Sequence, residues 1–68
     1  MKNNIRELRT ERGWSQAELA LRVRVSRNSI NAVENGKFDP SLPLAFRIAQ
    51  VFESSIESVF DAADIWQD

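Results

Sequence analysis

Residues 14–36 read WSQAELALRVRVSRNSINAVENG, and this stretch contains the start and stop signals of two short helices joined by a very short turn. Ser15 is a favoured N-cap, and Glu18 three positions later completes a capping box. Ser26 can cap the second helix, and Asn35-Gly36 can end it. Because so few residues separate the two helices, they must cross steeply. This arrangement is a helix-turn-helix unit, whose second helix can enter the major groove of DNA.

Another short helix is predicted on the N-terminal side of this unit. It covers about residues 4–12, with Asn3 or Asn4 as its cap and Gly13 as its stop signal. Trp14 directly precedes the capping box, and we interpret it as a core residue rather than a reactive one.

Two more helices follow on the C-terminal side, with Ser41 capping the fourth helix and Ser55 capping a short fifth one. Phe38 is expected to anchor the loop before the fourth helix. The most regular core stripe lies on one face of the fourth helix and consists of Leu44, Ala45, Ile48, Ala49 and Phe52. Since no run alternates with the period of a strand, the fold class is predicted to be all-α with five helices.

Length and composition exclude most other kinds of protein. A chain of 68 residues is expected to form one domain over 1–68, with its core over about 4–60 and an acidic tail over 61–68. It has no cysteine and no histidine, so we expect neither a metal site nor a nucleophile–histidine pair. We accordingly expect no cofactor and no enzyme activity. No stretch is apolar enough to span a membrane, and a cytoplasmic location is the default expectation.

The formal net charge of −1 conceals a strong gradient along the chain. Residues 1–37 hold eight basic and four acidic side chains, a net charge of +4. Residues 38–68 hold one basic and six acidic side chains, a net charge of −5. This asymmetry suggests that one surface faces an anion, although clustering by chance is the alternative.

The chain resembles the Cro and phage-repressor type of helix-turn-helix protein, the XRE family, over about residues 4–60. No single fragment is specific, but their ordered spacing is. The matching fragments are residues 5–9 (IRELR), 13–20 (GWSQAELA), 25–27 (VSR), Ile30, 33–37 (VENGK) and 39–42 (DPSL). The resemblance implies a lambda-repressor-like fold and a DNA-binding transcriptional regulator.

The family pattern also implies roles for particular residues. Gln16 at the start of the second helix and Asn35 at the end of the third are implied to bind phosphates, which position a protein without specifying sequence. The positive end of the helix dipole supports this role for Gln16, and a solvated glutamine is the alternative. Arg9 and Glu34 are implied to form a structural ion pair, and two unrelated surface charges are the alternative.

The third helix, at about residues 26–35, is predicted to read base edges. The base-reading candidates are Arg27, Asn28, Asn31 and Ala32, because arginine suits guanine, asparagine suits adenine and a methyl group suits thymine. For each of them, contact with a phosphate is the alternative. Ile30 and Val33 should instead face the core. The remaining phosphate candidates are Ser26, Ser29, Lys37 and Arg12.

Two positions depart from the family pattern, since Arg24 and Glu53 replace the usual helix-ending glycines. A left-handed conformation at Arg24 would cost roughly 1 kcal/mol relative to glycine.

The predicted function is that of a transcriptional repressor that binds a palindromic operator as a homodimer. The candidate dimer residues are Ile56, Phe60, Ile65 and Trp66, and for Trp66 the alternative is packing against its own domain. A second function class remains open at this point: an antitoxin, or another helical module that binds a protein partner and regulates its own promoter.

Overall fold

The computed structural model describes residues 1–61 and residue 63. In chain order the elements are β1 (Lys2–Asn3), α1 (Ile5–Arg12), α2 (Gln16–Val23), α3 (Arg27–Glu34), α4 (Leu42–Val51), α5 (Ile56–Val59) and β2 (Phe60–Asp61). The five predicted helices are confirmed, and α2 and α3 form the helix-turn-helix unit.

Serine side chains define where four of the five helices begin. In each case the serine Oγ accepts a hydrogen bond from the backbone N–H three residues later, which stabilises a helix by about 1 kcal/mol. The pairs are Ser15–Glu18 (3.0 Å), Ser26–Ser29 (3.1 Å), Ser41–Leu44 (3.3 Å) and Ser55–Ser58 (3.1 Å). The Glu18 carboxylate lies 2.8 Å from Arg22 Nε, one turn along α2, so it supports the helix from its exposed side.

A two-stranded antiparallel sheet joins the two ends of the fold, pairing Lys2 with Asp61 and Asn3 with Phe60. These two-residue strands were not predicted from the sequence, but the predicted all-α fold class is confirmed. Asn3 is central to this end of the molecule. Its Oδ1 accepts from the Ile5 N–H at 3.2 Å, and its Nδ2 donates to the Val33 carbonyl at 3.0 Å. The N-terminal strand is thus tied to the last turn of α3.

The core lies where the five helices meet. Its fully buried side chains include Ile5 of α1, Leu19 of α2 and Ile30 of α3, each 0% exposed. All five residues of the predicted α4 stripe are buried, at 7% exposure or less. Trp14 packs against this core, as predicted, and stacks on Phe52 with the ring centroids 5.6 Å apart.

Both departures from the glycine pattern adopt the left-handed conformation. Arg24 ends α2 with φ 63° and Glu53 follows α4 with φ 54°. In both turns, backbone N–H groups reach back to carbonyls of the preceding helix. The Val25 N–H, for example, donates to the Ala20 carbonyl at 3.0 Å. The tight turn between α2 and α3 therefore forms without glycine, at the steric cost of a side chain in this region.

Phe38 does not anchor the loop before α4 as predicted, because its side chain is 55% exposed. The loop is held by its backbone instead. The N–H groups of Lys37 and Phe38 both donate to the Ala32 carbonyl, at 3.0 and 3.2 Å, which leaves the Phe38 ring directed outward.

Candidate nucleic-acid interface

The helix α3 presents two contrasting faces. Ile30 and Val33 are 0% and 1% exposed and attach the helix to the core. Arg27, Asn28 and Asn31 lie on the other face, and all three are exposed. The helix is therefore braced on one side and offers hydrogen-bonding groups on the other, as insertion into a major groove requires.

Three side-chain amides form a continuous row along this exposed face. Asn31 Nδ2 donates to Gln16 Oε1 at 3.3 Å, and Asn35 Nδ2 donates to Asn31 Oδ1 at 3.2 Å. Gln16 is the first residue of α2 and Asn35 is the C-cap of α3. The row, which we call the amide row, thus links both helices of the unit. It brings together two of the predicted phosphate residues and one predicted base-reading residue.

The other candidates of this helix lie close by but differ in exposure. Ala32 is half-buried and less accessible than its neighbours. The hydroxyls of Ser26 and Ser29 lie 3.0 Å apart, and Ser26 Oγ also accepts the Ser29 N–H. Both serines therefore serve first as the cap of α3. Lys37, just beyond the helix, is exposed.

An ion pair clamps α3 to α1. Arg9 Nε and Nη2 donate to the two carboxylate oxygens of Glu34 at 2.9 and 2.7 Å, and Arg9 Nη1 donates to the Trp14 carbonyl at 2.9 Å. The side chains of Arg9 and Glu34 are only 12% and 7% exposed. The hydrogen bonds that Arg9 donates to Glu34 raise the pKa of Arg9 further above its ordinary value, while burial opposes this shift. The bidentate geometry fixes the orientation of α3 at its C-terminal end.

Arg12, a predicted phosphate residue, is engaged in contacts within the domain, which disfavours that role. Its Nη2 donates to the Phe52 carbonyl at 2.9 Å, and its Nη1 donates to the Leu8 carbonyl at 3.3 Å. Its guanidinium carbon lies 5.1 Å from the centre of the Phe52 ring and 5.7 Å from that of Trp14. The Phe52 carbonyl at the C-terminus of α4 also accepts from Ser54 Oγ at 3.1 Å, so Arg12 is one of two donors that satisfy this end of the helix.

The predicted dimer residues lie in different environments. Phe60 is only 5% exposed, because β2 turns its ring into the core, so it is not part of a free surface. Ile56 is half-buried and lines an apolar recess of about 410 Å³ between α4 and α5. Ile65 and Trp66 lie outside the described residues.

Phe46 lines the same recess and was missed by the sequence analysis, although its ring is 51% exposed. It lies off the buried stripe of α4, one turn after the exposed Leu42, and that i, i+4 spacing of two apolar residues was the available signal. We call the recess lined by Phe46, Ala49, Gln50, Ser54, Ser55, Ile56 and Glu57 the α4–α5 recess.

Neither a metal site nor a membrane-spanning helix is present among the described residues. No group of three or more acidic, histidine or cysteine side chains there is arranged to hold a metal ion. No helix among residues 1–61 has the length and apolar character needed to cross a bilayer.

Comparison with known proteins agrees with this geometry. The helix-turn-helix family model matches residues 5–59. An uncharacterised HTH-type transcriptional regulator of Archaeoglobus fulgidus is 46% identical over 68 residues, which cover 97% of each chain. The restriction-modification controller protein C.AhdI of Aeromonas hydrophila has a TM-score of 0.75 and 32% identity, covering 82% of this chain and 85% of that one.

A third similar protein is the N-terminal DNA-binding domain of SinR from Bacillus subtilis, with a TM-score of 0.72 and 25% identity over 79% of this chain and 80% of that one. These names do not favour the antitoxin alternative. The match to the family model covers α1 to α5 and includes the whole helix-turn-helix unit. The resemblance noted in the sequence is therefore confirmed, and the chain belongs to the Cro/C1-type (XRE) helix-turn-helix family of DNA-binding transcriptional regulators.

Proposed function

We propose that this regulator binds a specific duplex operator by inserting α3 into the major groove. The observation that carries the proposal is the contrast between the buried Ile30 and Val33 and the exposed Arg27, Asn28 and Asn31 on one helix. Arg27 suits a bidentate contact to guanine O6 and N7, and asparagine amides suit adenine N6 and N7. Ala32 is half-buried, so its contribution is limited to a contact between its methyl group and the methyl group of thymine.

Phosphate contacts on both sides of α3 would hold it in register. Gln16 lies at the N-terminus of α2, where backbone N–H groups and the helix dipole favour an anion. Asn35 and the exposed Lys37 lie at the opposite end of α3. Ser26 and Ser29 keep free hydrogen-bonding capacity beyond their cap and can approach a phosphate at the start of the helix.

We further propose that the protein acts as a homodimer on a palindromic operator and represses transcription by occupying it. A domain of this size covers one half-site. A two-fold dimer presents two reading helices about 34 Å apart, so that they enter successive major grooves on the same face of the duplex. The α4–α5 recess, with Phe46 and Ile56, is the proposed contact surface. Its apolar lining suits burial against a second copy.

The test of operator binding is selection from a random duplex library, followed by titration of the enriched sequence at several salt concentrations. We expect an enriched sequence with two-fold symmetry and an affinity that falls steeply with salt. Failure to enrich any sequence would refute sequence-specific binding.

Charge-matched variants separate base reading from general attraction to DNA. Arg27→Ala should reduce the discrimination between operator variants at one base pair by about 1–3 kcal/mol. Lys37→Ala should weaken binding to all duplexes alike and reduce the salt slope by about 1. Arg47→Ala, which removes an exposed positive charge from α4, is the control and should change neither quantity. If all three variants have the same effect, α3 does not read the sequence.

Dimer formation is tested by analytical ultracentrifugation of the native chain and of Phe46→Ser. We expect a dimer for the native chain and a weaker one for the variant, because an exposed ring contributes contact area without belonging to the buried core. Leu21→Ser is the matched control, since Leu21 is even more exposed, at 75%, but lies on α2. An equal loss of dimer in both variants would contradict the proposed surface.

A further inference from the structure

The amide row limits what its central member can offer to DNA. A carboxamide carries two N–H donors and an oxygen with two lone pairs. In Asn31, one N–H is committed to Gln16 Oε1 at 3.3 Å, and one lone pair is committed to Asn35 Nδ2 at 3.2 Å. Asn31 therefore keeps one donor and one acceptor, and its amide is held in a single orientation by partners on both sides.

One free donor beside one free acceptor matches a single base in the major groove. Adenine presents the N7 acceptor next to the N6 donor, so both free groups of Asn31 find a partner. Guanine presents two acceptors, N7 and O6, of which Asn31 can satisfy only one. Asn28 is also exposed on α3, but among the described residues its amide has no side-chain partner. It can rotate to present either a donor or an acceptor.

The two outer members of the row keep donors that the row does not use. Gln16 uses its oxygen for Asn31, so both N–H groups of its amide remain available at the N-terminus of α2. Asn35 uses one N–H for Asn31 and keeps the other. Each outer amide can therefore donate to a phosphate oxygen while it holds Asn31. A contact that is ordinarily independent of sequence is here linked to a base-reading side chain.

We propose that Gln16 and Asn35 are positioning residues that orient the Asn31 amide, so that the protein requires an A·T pair at the base that Asn31 reads. This assignment rests on the proposed docking of α3 in the major groove. The hydrogen bonds of the row lie on an exposed surface, where water competes with them in the free protein. Docking removes that water and strengthens the row, so its effect falls on the choice of base rather than on the stability of the fold.

The experiment measures affinity for the selected operator and for the three duplexes that carry another base pair at the Asn31 position. That position is identified as the one at which Asn31→Ala abolishes discrimination. The native protein should prefer A·T there by about 5- to 150-fold, the range of one bidentate contact. Gln16→Ala should weaken binding and also reduce this preference by at least about threefold, although Gln16 touches no base.

Gln16→Glu separates the two roles of Gln16. A carboxylate oxygen still accepts from Asn31 Nδ2, but it repels a phosphate. This variant should therefore keep the A·T preference within about twofold of the native value, while its affinity for all four duplexes falls by roughly 10-fold or more, the loss expected when a hydrogen bond to a charged group is removed. Lys37→Ala provides a pure phosphate control, with lower affinity and an unchanged preference.

The outcomes distinguish this assignment from the proposed function. Library selection that enriches no sequence would refute both. Selection that succeeds, with Gln16→Ala lowering affinity for the four duplexes equally, would overturn the positioning role and leave the docking of α3 intact. An Asn31 position occupied by G·C would overturn the A·T assignment in the same way. Circular dichroism of each variant verifies that the fold is retained.

Discussion

Replacing Glu34 by leucine should destabilise the fold strongly, although the side chain performs no chemistry. The carboxylate makes two hydrogen bonds of 2.9 and 2.7 Å to Arg9, and the two side chains are 7% and 12% exposed. Removal of one partner from a buried pair typically costs 3–5 kcal/mol. Arg9 keeps the Trp14 carbonyl as a partner, so we expect a loss of about 2–4 kcal/mol. A domain of this length has only about 3–10 kcal/mol of stability, so much of it would be lost.

The assay is urea denaturation of the native chain, Glu34→Leu, Arg9→Met and the double variant. Because the double variant leaves no uncompensated charge, it should lose no more than about 1–1.5 kcal/mol, chiefly from the orphaned Trp14 carbonyl. The coupling energy of the cycle should therefore exceed about 2 kcal/mol. A loss below about 1 kcal/mol in Glu34→Leu, or a double variant that loses the sum of the two singles, would show that Arg9 and Glu34 are not an energetically coupled pair.

The raised pKa of Arg9 determines the sign of its contribution to pH dependence. A cation whose pKa is raised on folding stabilises the folded state below its unfolded pKa, and this contribution is lost only as the pH rises through the folded pKa. That window lies above the ordinary value of arginine, far into the alkaline range. The Arg9 contribution should therefore be the same at about pH 6 and at about pH 9.

Three further predictions concern the residues that end α2 and α4, the Arg12 side chain and the Asn3 side chain. Arg24→Gly and Glu53→Gly should each raise the free energy of unfolding by up to about 1 kcal/mol, or the melting temperature by about 4–8 °C, because glycine has no Cβ that is strained in the left-handed region. Arg24→Ala is the control that retains the Cβ, and an equal gain in stability there would show that the Cβ is not the source of the strain. Arg12→Met should cost about 1 kcal/mol, since the Phe52 carbonyl loses one of its two donors and keeps Ser54 Oγ, and should leave the salt slope of DNA binding unchanged. A slope reduced by about 1 would return Arg12 to the phosphate contacts. Asn3→Ala should cost about 1–2 kcal/mol in thermal denaturation because its side chain makes three hydrogen bonds to the backbone, at Met1, Val33 and Ile5. Asn4→Ala, whose side chain makes no cap hydrogen bond, should be nearly neutral, and the reverse order would contradict the role given to Asn3.

Local signals in the sequence were sufficient to predict the helices and their order. Serine at the start of α2, α3, α4 and α5 has a direct physical consequence, the cap hydrogen bond to the third N–H of the helix. The period of the apolar residues similarly predicted the buried stripe of α4, and all of its members are in the core. The exposed face of α3 follows from the same periodicity, because Ile30 and Val33 can face the core only if Asn31 faces outward.

Contacts between distant segments could not be predicted in this way. Two-residue strands are too short to show alternation, so β1 and β2 left no pattern in the sequence. Arg12 is basic and close to the predicted unit, but its partner is a carbonyl forty positions later, which only the packing of α4 against α1 brings near. The amide row likewise depends on the crossing of α2 and α3, since fifteen positions separate Gln16 from Asn31.

The central claim is that the exposed face of α3 meets the bases of its operator. Amide chemical-shift perturbation in the ¹⁵N-labelled protein, on titration with the selected duplex, tests it most directly. We expect the largest changes at residues 26–35 and Gln16, including the side-chain amides of Asn31 and Asn35, and little change in α4 outside its recess. Large changes confined to α4 and α5, with the amides of α3 unmoved, would contradict it.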